Sequence, residues 1–202
     1  GASMRLTERL ADFFRPLVES KPFVRYNIAS IGFRLAIALP AGLYSIYWVN
    51  DLKATDSWIG LRGTAGYAAL VIGYWFWGRV ANRIGHRQLL LVCGATFALY
   101  PVVTALAPSV IWLLPAAVLW GFAVSGIDLG LFDMLLAVCP EGKQPRFAAA
   151  ANTLSSIAIT LGPILGAGLA EAITTRGALF VSGALQFAGT FAFLLLPKHE
   201  HE

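Results

Sequence analysis

The sequence predicts an all-α polytopic membrane protein with six transmembrane helices. Hydrophobic residues make up 57% of the chain and charged residues only 13%, whereas a soluble domain carries roughly 25% charged residues. The mean hydropathy is +0.68. Most charged residues lie in short segments between apolar runs, and these runs are long enough for the about 20 residues that a membrane-spanning helix needs. A water-soluble enzyme therefore has almost no support.

Six apolar runs are separated by connections that contain charge, Pro or Gly. The second connection, Trp75–Arg87, is called the basic cassette here because it contains Arg79, Arg83 and Arg87. The fourth run is longer than a bilayer requires, so its helix is expected to tilt or to extend beyond the hydrocarbon. The predicted spans cover residues 26–49, 58–78, 88–107, 110–139, 148–172 and 177–196.

The segments outside the spans predict three divisions of the chain. Gly1–Ser3 precede Met4 and are typical of residues left by a cloning vector. Residues 5–19 place apolar side chains at helical spacing among charges of both signs, which indicates an amphipathic linker helix or latch on the cytoplasmic surface. We therefore expect residues 1–20 to be vector-derived residues followed by the amphipathic cytoplasmic linker helix, residues 21–197 to be the six-helix transmembrane unit, and residues 198–202 to be a cytoplasmic tail.

The distribution of Lys and Arg predicts the orientation. With the N-terminus in the cytoplasm, eleven basic residues lie inside and three outside, and this bias places both termini in the cytoplasm. The predicted location is a bacterial inner membrane. The three outside residues are Lys53, Arg62 and Arg176, and the inside residues are Arg5, Arg9, Arg15, Lys21, Arg25, Arg79, Arg83, Arg87, Lys143, Arg146 and Lys198.

Three motifs resemble those of one transporter family. The cassette pattern Gly78-x-x-x-Asn82-Arg83-x-Gly85-His86-Arg87 is similar to the signature between the second and third helices of major facilitator superfamily transporters. The run Gly162-Pro163-Ile164-Leu165-Gly166-Ala167-Gly168 resembles their fifth-helix Gly-Pro element. The segment Pro140–Arg146 resembles the loop between the fourth and fifth helices.

The resemblance implies one six-helix half of such a transporter, built as a three-plus-three inverted repeat. The substrate cavity would lie between two halves. The signature's acidic residue is replaced by Asn82, and Leu119–Phe122 lack the Arg of N-terminal halves. These departures and the linker-like helix favour a C-terminal half, whereas the Gly-Pro element favours the other half.

Small residues and arginines in these motifs have direct physical roles. Gly85 permits a tight turn, and Arg83 and Arg87 can anchor helix ends and bond the carbonyls at the C-terminus of the second helix. Gly162 and Gly166 are four residues apart and allow another backbone to approach. Pro163 removes a helical hydrogen bond, which permits a kink. Small-residue packing and a moving hinge both remain open for this segment.

Three ionisable residues inside the spans are the main functional candidates. Each of Arg34, Asp128 and Asp133 costs about 2.5–3.5 kcal/mol at a helix centre on the insertion scale. We expect Asp128 to face the cavity and bind a proton or a cationic group, and Asp128 or Asp133 to pair with Arg34. A purely structural Arg–Asp pair is the alternative. Asp128 and Asp133 lie about 140° apart around a helix, so they should face different neighbours. Tyr44 in the first span is a further candidate for substrate contact.

The sequence therefore predicts part of a secondary active transporter for a small solute, coupled to protons by symport or antiport and possibly acting in efflux. Six helices provide one wall of a cavity, so the expected partners are the lipid bilayer, the solute, protons and a second half, which is either upstream in the same chain or a homodimer mate. A sensor, a scaffold or an inactive half is the alternative.

No enzymatic activity, cofactor, metal or nucleic acid is predicted. Cys93 and Cys139 are expected to be small buried hydrophobic residues, and no phosphate loop or hydrolase triad appears.

Overall fold

The computed structural model describes residue 18, residues 20–140 and residues 142–195, and helices are the only regular structure among them. The expected amphipathic helix at 5–19, apart from Val18, and the tail at 198–202 lie outside the described residues. The α-helices of the described part are α1 Lys21–Ala38, α2 Ala41–Asn50, α3 Asp56–Ile84, α4 His86–Leu106, α5 Leu113–Val138, α6 Gln144–Ile173 and α7 Thr175–Phe191. Two 3₁₀ turns, Val110–Trp112 and Ala192–Leu195, precede α5 and follow α7.

Five described stretches are long and apolar enough to cross a membrane. These are α1 together with α2, α4, the 3₁₀ turn with α5, α6, and α7. The helix that corresponds to the second predicted span, α3, is not among these five. It has 29 residues, which reach roughly 43 Å. Many of these residues are Gly, Tyr and Trp, which are less hydrophobic than Leu or Val. Because α3 packs along most of α5, it belongs to the same bundle and brings the number of spans to six. The predicted all-α polytopic fold is confirmed.

The first predicted span is two helices rather than one. α1 ends at Ala38 and α2 begins at Ala41, with Leu39 and Pro40 between them. Pro40 has no backbone N–H and its ring clashes with the carbonyl four residues earlier, so the helix is interrupted there. The break brings the backbone at Ala38 and Leu39 against α6.

Most of the basic cassette is helical, which corrects the prediction that it is a loop. α3 continues past Gly78, Asn82 and Arg83 to Ile84, and α4 begins at His86. Gly85 alone connects the two helices, with φ 81° and ψ 154°. Backbone in this region is accessible mainly to glycine, so the turn depends on Gly85 as expected.

The connection between α6 and α7 has the same backbone form. Thr174 has φ 100° and ψ 153°, and its hydroxyl accepts a hydrogen bond from the Gly177 N–H. We call the membrane face that contains Gly85 the Gly85 face and the opposite one the Thr174 face. The second-to-third and fifth-to-sixth connections are thus equivalent turns at opposite faces, as an inverted repeat requires.

Glycines allow the two closest helix crossings. A Cβ on Gly121 of α5 would meet the Gly66 carbonyl oxygen of α3. In the other half of the bundle, a Cβ on Gly166 of α6 would meet the Leu39 carbonyl oxygen, and one on Gly162 would meet Ala38. Backbones can approach this closely only where side chains are absent.

The α4 helix lies between α5 and α7 and is the most buried of the apolar spans. Cys93 of α4 packs against Gly126, and Leu90 packs against Gly130. Both Cys93 and Cys139 are buried free thiols, which confirms the sequence interpretation. In contrast, α6 is the least buried span and exposes most of its surface.

Two arginines connect α4 and α7 at opposite faces. At the Gly85 face, Arg87 donates to the carbonyls of Phe193 and Leu194, at 3.2 Å and 2.5 Å. At the Thr174 face, Arg176 donates to the Ala105 carbonyl at 2.7 Å. Each arginine is the second residue of its helix and donates to carbonyls at or just after the C-terminal end of the other helix. We call these two sets of hydrogen bonds the reciprocal arginine caps.

The sequence had predicted a different partner for Arg87. Its bonds are made to the chain after α7 rather than to the C-terminus of α3, because the side chain extends away from the turn at Gly85 toward the end of the neighbouring helix.

Candidate functional site

Two cavities open along the side of the bundle where α1 and α5 meet. The polar cavity has a volume of about 360 Å³ and the aromatic cavity about 420 Å³. Both fall within the size range of small-molecule sites. The polar cavity is lined by Tyr26, Arg34, Tyr74, Asp128, Leu129, Leu131, Phe132, Leu135 and Asn152. The aromatic cavity is lined by Arg34, Ile37, Ala38, Ala41, Tyr44, Trp48, Arg62, Phe97, Tyr100, Trp120, Val124, Ile127, Asp128, Leu131, Ile159 and Pro163.

Arg34 and Asp128 lie at the boundary of the two cavities and line both. They come from α1 and α5, the first and fourth spans, as the sequence predicted. Because both are membrane-spanning helices, these charges lie between the apolar ends of the bundle. A polar layer therefore crosses the middle of the open side.

Asp128 has a defined hydrogen-bond donor. The Tyr74 hydroxyl of α3 donates to its Oδ2 atom at 2.9 Å. Tyr74 was not among the residues selected from the sequence. Tyrosines in apolar runs are common, and their positions along the chain do not show which of them faces a carboxylate.

Arg34 has no carboxylate within 4 Å among the described residues, and its buried Nε atom has no hydrogen-bond partner there. The guanidinium acts electrostatically on the Asp128 carboxylate, without closing a direct ion pair. Both charges are therefore available to groups that enter the cavities.

Asp133 lies elsewhere, and its expected pairing with Arg34 is wrong. Its Oδ2 atom is 2.9 Å from His86 Nδ1 at the Gly85 face, and this contact is an ion pair when the imidazole is protonated. Asp133 is outside the lining of both cavities. The five-residue offset from Asp128 directs it toward α4, so the expectation of different neighbours is confirmed.

Tyr44 lies in the aromatic cavity, as the sequence suggested. Its ring stacks on Trp48 at 5.9 Å and contacts Tyr100 at 4.6 Å between centroids. The Tyr44 hydroxyl and the Trp48 indole N–H are buried and have no hydrogen-bond partner among the described residues. In contrast, Tyr47 turns away and donates to the Ala105 carbonyl at 3.1 Å.

Arg62 is a cavity residue that the sequence interpretation did not select. It lies within the predicted second span, near the start of α3, and contributes to orientation as one of the three outer charges. Its guanidinium carbon lies 4.5 Å from the Trp48 ring centroid and 5.3 Å from that of Trp120, and it donates to the Tyr100 hydroxyl at 2.6 Å. The chain alone does not show that Trp48, Tyr100 and Trp120 surround Arg62, because these rings come from three other helices.

The fifth-span motif borders the aromatic cavity through Pro163. Gly162 and Gly166 pack against the break between α1 and α2, which supports small-residue packing. In the cassette, Gly78, Asn82 and Arg83 are exposed on the last turns of α3, away from both cavities. The described residues contain no cluster of three or more His, Cys, Asp or Glu side chains suited to a metal.

Comparisons with known proteins agree with this architecture. Protein SGE1 of Saccharomyces cerevisiae is 27% identical over 120 residues, which are 59% of this chain and 22% of that protein. The efflux pump dotC of Dothistroma septosporum is 27% identical over 195 residues, 90% of this chain and 33% of its own length. Synaptic vesicle glycoprotein 2C of Mus musculus is 24% identical over 145 residues, 68% of this chain and 20% of that protein.

The chain thus spans about a fifth to a third of these relatives. They are eukaryotic, so they lend no support to a bacterial membrane in particular. The family model described as Major Facilitator Superfamily matches residues 27–202, which include α2 to α7, most of α1 and every residue that lines the two cavities except Tyr26. This chain belongs to the major facilitator superfamily.

Proposed function

We propose that this chain is part of a secondary active transporter that moves a small solute and couples its movement to protons. The observation that carries the proposal is the position of Arg34 and Asp128, which line both cavities without pairing directly. Charges within membrane-spanning helices are costly, and they usually mark substrate or ion pathways. A purely structural pair would be expected to close into a direct contact.

Asp128 is the proposed proton site. A carboxylate at this position can alternate between a charged form that accepts the Tyr74 hydrogen bond and a neutral, protonated form. Arg34 stabilises the charged form, and solute binding near either residue changes the balance between the two forms. This reciprocal effect of solute and proton on one site is the basis of coupling.

We further propose that the chain forms one wall of the transport pathway. Arg34, Tyr74, Asp128 and Asn152 all lie on the open side of the bundle. A second six-helix unit, either upstream in the same polypeptide or in a second copy of the chain, would cover this side. Cross-linking of the protein in membranes separates these two arrangements, since only the second yields a dimer of this chain.

We propose that the direction of transport is efflux by proton antiport, because a relative whose match covers 90% of this chain is named an efflux pump. We propose that the Gly85 face and both termini lie in the cytoplasm, because the predicted loops on that side contain the excess of Lys and Arg.

The test uses protein reconstituted into liposomes with a trapped pH-sensitive dye. Solutes from a panel of aromatic and aliphatic anions, cations and neutral compounds are added outside, and solute-driven proton flux is recorded. Asp128→Asn should abolish this flux, because the amide cannot ionise. Asp51→Asn is the matched control, since Asp51 is exposed after α2, and it should retain wild-type flux.

Proton coupling through Asp128 is rejected if Asp128→Asn leaves both the rate and its pH dependence unchanged. Solute binding without proton or solute flux in the wild-type protein would instead favour a sensor or scaffold.

A further inference from the structure

The end of the aromatic cavity nearest the Thr174 face is lined by three residues that can donate hydrogen bonds, Tyr44, Trp48 and Arg62. Arg62 has no carboxylate within 4 Å among the described residues, and it uses one N–H group on Tyr100. The indole N–H of Trp48, which can only donate, is buried without a partner. The Tyr44 hydroxyl is likewise buried and makes no hydrogen bond within 3.5 Å among the described residues, although the Gln186 side chain lies near it.

Each of these groups needs an acceptor. A buried donor without a partner costs about 1–3 kcal/mol relative to a bonded one, and Trp48 and Tyr44 supply two such groups among the lining residues. Arg62 adds a charged donor that is only partly used. Among the residues that line this cavity, Asp128 is the one carboxylate, and it already accepts from Tyr74.

The charge of the lining also favours a ligand that supplies hydrogen-bond acceptors. Arg34 and Arg62 contribute two positive charges and Asp128 one negative charge, so the cavity has an excess of positive charge. The planar guanidinium of arginine matches the geometry of a carboxylate or another planar oxyanion.

The remaining walls are apolar and aromatic. Phe97, Trp120 and Ile159 line the cavity beside the donor groups. Such walls favour a flat hydrophobic body, since aromatic rings contribute large contact areas. The rings around Arg62 hold its guanidinium by cation–π contacts and leave its other N–H groups free to bind.

We propose that the aromatic cavity binds a small aromatic organic anion, whose acidic head contacts Arg62, Trp48 and Tyr44 and whose ring packs against the apolar wall. This inference rests on the proposed transport function and names the substrate class of that site. It assigns Arg62 as the residue that recognises the charge of the solute.

The experiment measures binding by isothermal titration calorimetry with the purified protein in nanodiscs. The probes share one ring and differ in charge: benzenesulfonate is an anion, benzenesulfonamide is neutral and trimethylanilinium is a cation. The anion should bind at least tenfold more tightly than the other two.

Four variants test the assignment. Arg62→Gln should weaken benzenesulfonate binding about 10- to 100-fold, as expected for the loss of a charge-assisted hydrogen bond. Arg62→Lys should recover part of the loss. Trp48→Phe removes the indole N–H and should weaken binding several-fold. Arg79→Gln is the matched control, because Arg79 also lies on α3 and stacks on a Trp, Trp75 at 3.8 Å, but lies outside both cavities; it should bind as the wild type does.

Equal affinity of Arg62→Gln and wild type for benzenesulfonate overturns the proposal, as does preferential binding of trimethylanilinium. Cation binding that is lost in Asp128→Asn would leave the transport function intact and change only the substrate class. Anion binding without proton-coupled flux would support the site and reject the function. Should Arg62→Gln fail to fold, Trp48→Phe alone decides, since unchanged affinity there contradicts the indole contact.

Discussion

At the residue scale, the structure distinguishes glycines that are required from glycines that are only tolerated. Gly85 has a positive φ of 81° in the turn between α3 and α4, whereas Gly78 is helical and a Cβ there would meet open space. Both belong to the cassette motif, and the sequence pattern gave them equal weight. Their backbone conformations assign them opposite tolerance to substitution.

We predict that Gly85→Ala lowers the free energy of unfolding by about 1–3 kcal/mol, the usual cost of this backbone region for a residue with a Cβ. Gly78→Ala, the matched control, should raise it by roughly 0.5–1 kcal/mol because alanine favours the helix. Unfolding of both variants by sodium dodecyl sulfate in mixed micelles measures the difference. Equal stabilities would mean that the turn relaxes without cost.

The candidate site was predictable from the sequence only in part. Arg34 and Asp128 stood out because a charge in an apolar run is conspicuous whatever its neighbours are. Tyr74 and Arg62 did not, because their roles depend on which helices meet. The donor to Asp128 is 54 positions away in the chain, and a local sequence pattern cannot predict a contact between residues so far apart.

At the element scale, backbone contacts at glycines set the positions of the helices around the cavities. Gly166 of α6 meets the Leu39 carbonyl, at the break that Pro40 introduces between α1 and α2. Pro163 of α6 and Ala38 and Ala41 at that break line the aromatic cavity. The crossing therefore fixes one border of the proposed binding site.

We predict that Gly166→Ala destabilises the protein by about 1–3 kcal/mol, since the added methyl group overpacks against backbone that cannot move easily. Gly168→Ala is the control on the same helix, where a Cβ has open space, and it should be neutral or slightly stabilising. Thermal unfolding in detergent, followed by circular dichroism at 222 nm, compares the two. A Gly166→Ala variant as stable as Gly168→Ala would show that α6 shifts freely, which is the behaviour expected of a hinge.

Element boundaries were predicted less well than element number. Apolar periodicity and length identified six spans, but α3 continues six residues beyond the predicted end at Gly78. Charged residues ended the predicted span, whereas arginines extend a helix readily when their side chains reach water or lipid phosphates. The first span divides at Pro40, whose effect on helix geometry is local and was readable from the sequence.

At the scale of the whole molecule, the inverted repeat appears in backbone geometry rather than in sequence. Gly85 and Thr174 make equivalent turns, and Arg87 and Arg176, each two residues later, make the reciprocal arginine caps. The flanking sequences, Ile84–Arg87 and Ile173–Arg176, share only their first and last residues. The two three-helix repeats are thus related by their turn geometry and their arginine caps, although the sequences at these turns are scarcely similar.

We predict that Arg87→Ala and Arg176→Ala each lower the free energy of unfolding by about 1–2 kcal/mol, because each removes a charged donor from carbonyls at a helix end. The loss for Arg176→Ala should be the smaller one, since the Ala105 carbonyl keeps the Tyr47 hydroxyl as a donor. The two sites are separated by the length of α4, roughly 30 Å for 21 residues, so the losses should add to within about 0.5 kcal/mol. Lys143→Ala, at an exposed position, is the control. A double variant no less stable than either single variant would contradict independent caps.

The reciprocal arginine caps also constrain the order in which the protein can be completed during synthesis. The Ala105 carbonyl at the end of the third span can accept from Tyr47, which is made earlier, but its bond to Arg176 requires a residue 71 positions later in the chain. Arg87 must wait for the carbonyls of Phe193 and Leu194, more than 100 residues later. The first three helices can therefore enter the membrane before the last three are made, but neither face of the α4–α7 pair closes until the final helix has been inserted.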